Sequence, residues 1–195
     1  IPPQNFNFTP GPGDAMDEAF PGEWIMECTE NSLTNLGVEQ LDLQMFHVWL
    51  DEWADRDEWK ETVEKLKQQG KIRAFGLSLV FPLTDAHIPR RAIETGLVDA
   101  CQVVYNIYQQ EPEDKLFPLV KQANVGVIAR CPLDEGALSG KFTPETCFPE
   151  GDWRNDYFCG DRKQQVCEHA EGLQWLIEQG EAASLPEAAL RYTLS

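Results

Sequence analysis

One rhythm constrains this chain more than any single motif: an amphipathic run stops at a glycine or asparagine and an apolar, strand-like segment follows, four times in series. Ile25, Cys28, Leu33 and Leu36 share one face of a helix that stops at Gly37, and LDLQMFH (41–47) follows as a strand. Trp59, Val63 and Leu66 mark a second helix, stopped at Gly70 before IRAFGLS (72–78). A third runs to about Gly96 before DACQVVYN (99–106), and a fourth, carrying Leu116, Val120 and Ala123, reaches Asn124 before VGVIARC (125–131). Gly and Asn tolerate the left-handed turn that ends a helix, so each helix carries its own stop. Strand centres such as VGVIA are apolar on both faces, which calls for parallel strands covered by helices. The expected fold class is α/β.

Two long loops interrupt the rhythm. IPPQNFNFTPGPGDAMDEAFPG (1–22) is crowded with Pro, Gly and Asn, and residues 131–160 form a second loop. One helix with Val166, Ala170, Leu173 and Ile177 on its apolar face is expected next, and a last helix opens with the capping box Ser184-Leu185-Pro186-Glu187. The 195 residues suffice for one domain with a sizeable core. They fall short of the roughly 250 residues of a closed eight-stranded α/β barrel.

Charge and cysteine usage exclude several classes. Sixteen basic against 33 acidic residues give a net charge of −17, which repels nucleic acid and anionic membrane surfaces. No run is long and apolar enough to span a membrane, and IPPQNFNF has neither the basic nor the apolar region of a secretory leader. The six cysteines include no Cys-x-x-Cys pair and no histidine at zinc spacing, so no metal site is expected. They read as free thiols of a reducing, cytoplasmic compartment, with two or three disulfides as the alternative.

In parallel α/β folds, sites form at the C-terminal ends of strands. The residues there are His47, Ser78, Tyr105 with Asn106, and Arg130 with Cys131. A lone histidine at a strand end is either a hydrogen-bonded structural residue or a group that handles protons. Gln102 lies inside an otherwise apolar strand, so its amide needs partners, either a neighbouring backbone or a ligand. Trp49, Trp53 and Trp59 either line a pocket near His47 or pack a loop on a helix. Asp14, Asp17 and Glu18 read as solvated loop acids, and His87 and His169 as surface residues.

The segments SLTNLGVEQLDLQMFH (32–47), GKIRAFGLS (70–78), VDACQVVYNIYQQEPEDKLFPL (98–119) and GVIARCPLDEGALSGKF (126–142) resemble, in order and spacing, the fourth to seventh strands of the aldo-keto reductase superfamily. FPEGDWRNDYF (148–158) narrows the resemblance to bacterial members. The resemblance implies a (β/α)8 TIM barrel, present here as about four parallel strands with covering helices in a single domain over 1–195. It implies reduction of small carbonyl substrates with NADPH through an Asp, Tyr, Lys and His tetrad. Only the histidine falls in this sequence, as His47, so the chain is expected to be the middle and later part of an enzyme and inactive alone.

The resemblance also assigns cofactor contacts. Ser78 and Gln102 match the pair that hydrogen-bonds the nicotinamide carboxamide. Arg130, Cys131, Pro132 and Leu133 match the stretch that packs on nicotinamide and offers backbone N–H groups to the pyrophosphate. Lys141 and Arg154 match basic residues near the cofactor phosphates, and for both the plain alternative is a solvated loop charge. Arg130 stands where many members have an aromatic, and Leu79 where many have Asn. Two other readings stay open: a nucleotide-binding regulatory module like the channel-associated β subunits, which resemble this superfamily, and a non-catalytic half-barrel that covers its edges by dimerising.

Overall fold

A computed structural model describes all 195 residues, Ile1–Ser195. In chain order it contains α1 (Met16–Ala19), α2 (Gly22–Leu36), β1 (Leu41–Phe46), α3 (Asp57–Gln68), β2 (Ile72–Ser78), α4 (Arg90–Glu94), β3 (Ala100–Val104), α5 (Pro112–Ala123) and β4 (Gly126–Arg130). There follow a 3-10 turn (Asp134–Ser139), α6 (Arg154–Tyr157), α7 (Arg162–Glu171), α8 (Trp175–Glu178) and α9 (Leu185–Leu194). The strands form one parallel sheet in the order β1-β2-β3-β4, part of a (β/α)8 barrel. The expected stops hold: Gly37, Gly70, Gly96 and Asn124 all have positive φ, between 56° and 74°.

The chain divides into two compact units, Ile1–Val103 with Glu111–Ile128, and Val104–Gln110 with Ala129–Ser195. In the first, β1 and β2 pair from Leu41↔Ile72 to Phe46↔Leu77, and β2 meets β3 at Gly76↔Ala100 and Ser78↔Gln102. Gly76 is required there, because a Cβ would lie 2.7 Å from the Ala100 carbonyl oxygen. The core of this unit is aromatic. Phe20 stacks on Phe46 at 4.2 Å, Phe46 meets Phe75 edge-on at 4.8 Å, and Trp49 meets Trp59 at 5.3 Å. Trp49, Trp53 and Trp59 are all buried here and pack the core.

Several sequence expectations need correction. Leu36 is exposed; the buried face of α2 is instead Ile25, Thr29 and Leu33, because the Thr29 hydroxyl donates to the Ile25 carbonyl and accepts from the Gln44 amide, taking both polar groups out of solvent. Val127 and Ile128 of β4 are 41% and 38% exposed, since β4 is the last strand of the sheet and the helices of the chain do not cover these side chains. Residues 1–22 are tied down by side chains and contain the single turn α1. There the Asp14 carboxylate accepts from Gly11 N at 2.8 Å and Asn7 Nδ2 at 2.7 Å, and Trp53 Nε1 donates to the Asp14 carbonyl at 2.7 Å. His87 is buried rather than on the surface, 2.8 Å from Thr84 Oγ1 and 3.4 Å from the Pro10 carbonyl oxygen.

The second unit is built on two apolar clusters. Leu138, Leu185 and Ala189 gather Ile107, Tyr108, Leu133, Ala170, Leu173 and Ile177, while Ala137, Phe158 and Val166 gather Phe142, Phe148 and Tyr157. The expected single helix over Val166–Ile177 is two helices, α7 and α8. Between them the hydrogen bonds shorten to three-residue steps, Leu173 N to Ala170 O and Gln174 N to Glu171 O, which keeps Ala170, Leu173 and Ile177 on one cluster. The α9 capping box forms: Ser184 Oγ accepts from Glu187 N, and the Glu187 carboxylate reaches back to Ala183 N. No helix is long and apolar enough to cross a membrane.

Candidate functional site

In the first unit, residues of three neighbouring strands meet at one cleft. β1 stops at Phe46, which places His47 just beyond the mouth of the strand, and Ser78, the last residue of β2, pairs in register with Gln102, the middle residue of β3. All three line a cleft of about 290 Å³ together with Ile1 and residues 43–46. His47 is exposed, its backbone N–H donates to the Ile1 carbonyl at 2.9 Å, and its ring lies edge-on to Phe8 at 5.3 Å. An imidazole so placed offers a ring N–H to a ligand oxygen without leaving a sealed core.

Ser78 and Gln102 satisfy each other. Ser78 Oγ donates to Gln102 Oε1 at 3.2 Å, and the Gln102 carbonyl accepts from Leu79 N at 2.8 Å. The strand amide thus has a protein partner, and the pair presents a hydroxyl and a carboxamide side by side at the cleft. With the serine proton spent on Gln102 Oε1, the pair still offers the Gln102 NH2 as a donor and the serine oxygen as an acceptor, which an incoming primary amide can meet with its C=O and its NH2.

The other expected site residues belong to the second unit. After β4 the chain makes an abrupt turn: Cys131, Asp134 and Glu135 have φ of 56°, 44° and 54°, a region L-residues enter at a cost. Asp134 N closes on the Cys131 carbonyl and Gly136 N on the Leu133 carbonyl, at 2.9 and 3.0 Å. Leu133 packs on the Leu138–Leu185–Ala189 cluster, which seats the turn. Cys131 Sγ donates to Glu135 Oε1 at 2.8 Å; burial first, then this carboxylate, pushes the thiol up to about 12, so it remains protonated at neutral pH. Lys141 is exposed to solvent just past the 3-10 turn.

Arg154 is committed elsewhere. Its Nε reaches Asp152 Oδ1 at 3.0 Å and Oδ2 at 3.2 Å, its Nη2 reaches Oδ2 at 2.6 Å, and its guanidinium lies 4.5 Å over the Phe148 ring. The fork holds the Asp152 carboxyl down to about 2. Asn106, counted among the strand-end polar groups, is fully buried and spends its amide on backbone. Its Nδ2 donates to the Cys131 carbonyl at 2.8 Å, and its Oδ1 accepts from Tyr108 N at 2.8 Å and Gln109 N at 3.1 Å. The buried network of Asp134, Tyr157 and Arg162 was not expected from the sequence, although an aspartate within the apolar turn PLDEGALSG was its visible signal.

Comparison with known proteins identifies the family. Residues 13–195 match the model of the Aldo/keto reductase family. A solved glycerol dehydrogenase from Gluconobacter oxydans superposes with TM-score 0.73 at 27% identity, over 89% of this chain and 52% of the other. An NADP(+) aldo-keto reductase of Schizosaccharomyces pombe is 30% identical over 68% of this chain and 38% of its own length. An NADH-specific methylglyoxal reductase of Escherichia coli is 34% identical over 62% and 36%. The chain spans about half, or less, of the length of the relatives it matches.

Proposed function

The chain belongs to the aldo/keto reductase family, and from that premise we propose that it supplies the substrate histidine and the nicotinamide-binding side of an NADPH-dependent reductase of aldehydes and ketones. The observation that carries this reading is the meeting of His47, Ser78 and Gln102, from three adjacent parallel strands, at one cleft. Ser78 and Gln102 would hold the carboxamide, which fixes the face of the ring that looks into the cleft. Arg130, Cys131, Pro132 and Leu133 would pack along the nicotinamide and offer backbone N–H groups to the pyrophosphate. The dihydronicotinamide, when bound, supplies a hydride with its electron pair. His47 would donate a ring N–H to the substrate carbonyl oxygen, which stabilises the negative charge that builds there as the C=O bond is reduced.

The tetrad's proton donor matches no residue of this sequence, so these 195 residues by themselves are expected to bind nucleotide and not to turn over. The check is a titration of the chain with NADPH and with NADH by tryptophan fluorescence, alongside an aldehyde-dependent NADPH oxidation assay. Oxidation at the rate of a full-length relative would show that the active site has been placed on the wrong residues.

The two loop cations should differ. Lys141 is exposed and open to a phosphate, whereas the Arg154 fork is filled by Asp152. Lys141→Met is therefore expected to weaken NADPH binding about 10-fold, and Arg154→Met by less than about threefold. Equal affinities for Lys141→Met and the parent chain would make this lysine a solvated loop charge.

A further inference from the structure

The turn after β4 is strained, and an unusual arrangement holds it. Asp134 is 2% exposed at φ 44°, and Glu135 and Gly136 follow at φ 54° and 106°. A segment that arrives 23 residues later ties this turn down: Tyr157 Oη donates to Asp134 Oδ1 at 2.8 Å. The same phenolic oxygen accepts from Arg162 Nη2 at 2.8 Å, and the Arg162 guanidinium lies 4.3 Å over the Tyr157 ring. The neighbouring Phe158 is fully buried against Ala137 and Val166, so the segment grips the 3-10 turn by an apolar contact and a polar one. Burial and the Asp134 hydrogen bond raise Tyr157 to about 12, so the phenol keeps its proton and stays the donor.

Stability alone does not account for this choice of residues. A buried carboxylate held by one phenol costs desolvation that an apolar side chain of similar size would avoid. The cluster is also incompletely satisfied: Arg162 Nε and Tyr108 Oη are buried without hydrogen-bond partners. Polar groups that are poor for stability but good for direction fix the orientation of what they hold, and here they hold the backbone that follows Cys131.

We propose that Asp134, Tyr157 and Arg162 are positioning residues that lock the turn after β4 in the shape that receives the cofactor's phosphates. This inference rests on the cofactor reading of that turn given above. The lock acts by preorganisation: the strained turn is formed before the nucleotide arrives, so binding does not have to order it. Removing the Tyr157 hydroxyl should leave the chain folded and the turn loose.

The test uses the whole 195-residue chain, with NADPH and NADH titrated separately and hydrogen exchange followed at the amides of residues 131–140. Tyr157→Phe is expected to raise the dissociation constant about 10-fold and to speed exchange in that segment, with a thermal midpoint near that of the parent. Asp134→Asn, which keeps an acceptor for the phenol, should stay closer to the parent than Asp134→Ala. The double variant Asp134→Ala/Tyr157→Phe should bind no more weakly than Asp134→Ala, because both changes break one contact. Should Tyr157→Phe fail to fold, Arg162→Lys, which keeps the charge and loses the planar stack, carries the same expectation. A parent chain that binds neither nucleotide overturns the cofactor reading and this inference together. A parent that binds, with Tyr157→Phe or Arg162→Lys within about twofold of it, overturns this inference alone.

Discussion

Replacing His47 with alanine is expected to lower kcat for carbonyl reduction by on the order of 10²-fold, measured in a protein that carries these residues together with the family's Asp, Tyr and Lys. The size follows from the place of the ring. His47 sits just past the end of β1, exposed, on the cleft that Ser78 and Gln102 also line. A ring N–H aimed at the carbonyl oxygen gains strength as that oxygen takes on charge, so its loss falls on the transition state more than on substrate binding. KM should therefore change little. Stability should change little as well, since the His47 side chain is exposed and its ring meets Phe8 only edge-on. His47→Gln keeps an N–H donor at a similar reach and should recover part of the rate. If His47→Ala keeps the parent kcat with an unchanged thermal midpoint, the histidine serves only to seat Phe8 and the proposed mechanism loses its one tetrad residue.

The parts of this fold that were legible in the sequence are those decided by local chemistry. A glycine or asparagine that must take positive φ announces itself, and Gly37, Gly70, Gly96 and Asn124 end their helices as expected. The strands follow from these stops, and His47 and Ser78 could be placed at the C-terminal ends of theirs, and Gln102 inside its own, because strand polarity follows from helix–strand alternation. What was not legible depends on partners distant in sequence. Asn106 and Ser78 both look like polar groups at strand ends, yet Asn106 turns inward to backbone while Ser78 lines the cleft. His87 lacks any local partner pattern because one of its contacts, the Pro10 carbonyl, lies 77 residues away. Val127 and Ile128 carry the apolar pattern of a covered strand, and that pattern is silent on whether a covering element is present. Arg154 is the opposite case: its partner Asp152 stands two residues before it in GDWR, so local reading alone could have removed it from the free phosphate ligands.

Asn106→Ala is expected to cost about 1–3 kcal/mol of stability. Asn106 is fully buried, and its carboxamide closes three bonds, to the Cys131 carbonyl and to the amides of Tyr108 and Gln109. Its own backbone exchanges hydrogen bonds with Gln109 at 3.0 and 3.3 Å, so the residue folds the tight bend that follows β3. Alanine would leave the Tyr108 N–H without a partner and would take one of two bonds from Gln109 N, which keeps the Asn106 carbonyl, and from the Cys131 carbonyl, which keeps Asp134 N. The cost is set by the orphaned N–H and the two lost second bonds rather than by the amide removed. Asn106→Asp separates the two halves of the contact: its carboxylate still accepts from Tyr108 N and Gln109 N, while the donor to the Cys131 carbonyl is lost and a charge is buried. It should therefore be destabilising too, and increasingly so above the pH at which the aspartate ionises, because the folded state favours the protonated form. Urea unfolding followed by circular dichroism measures both variants. A midpoint for Asn106→Ala that corresponds to less than about 0.5 kcal/mol would mean that the bend holds without its side chain, and that Asn106 belongs with the strand-end residues available to a ligand.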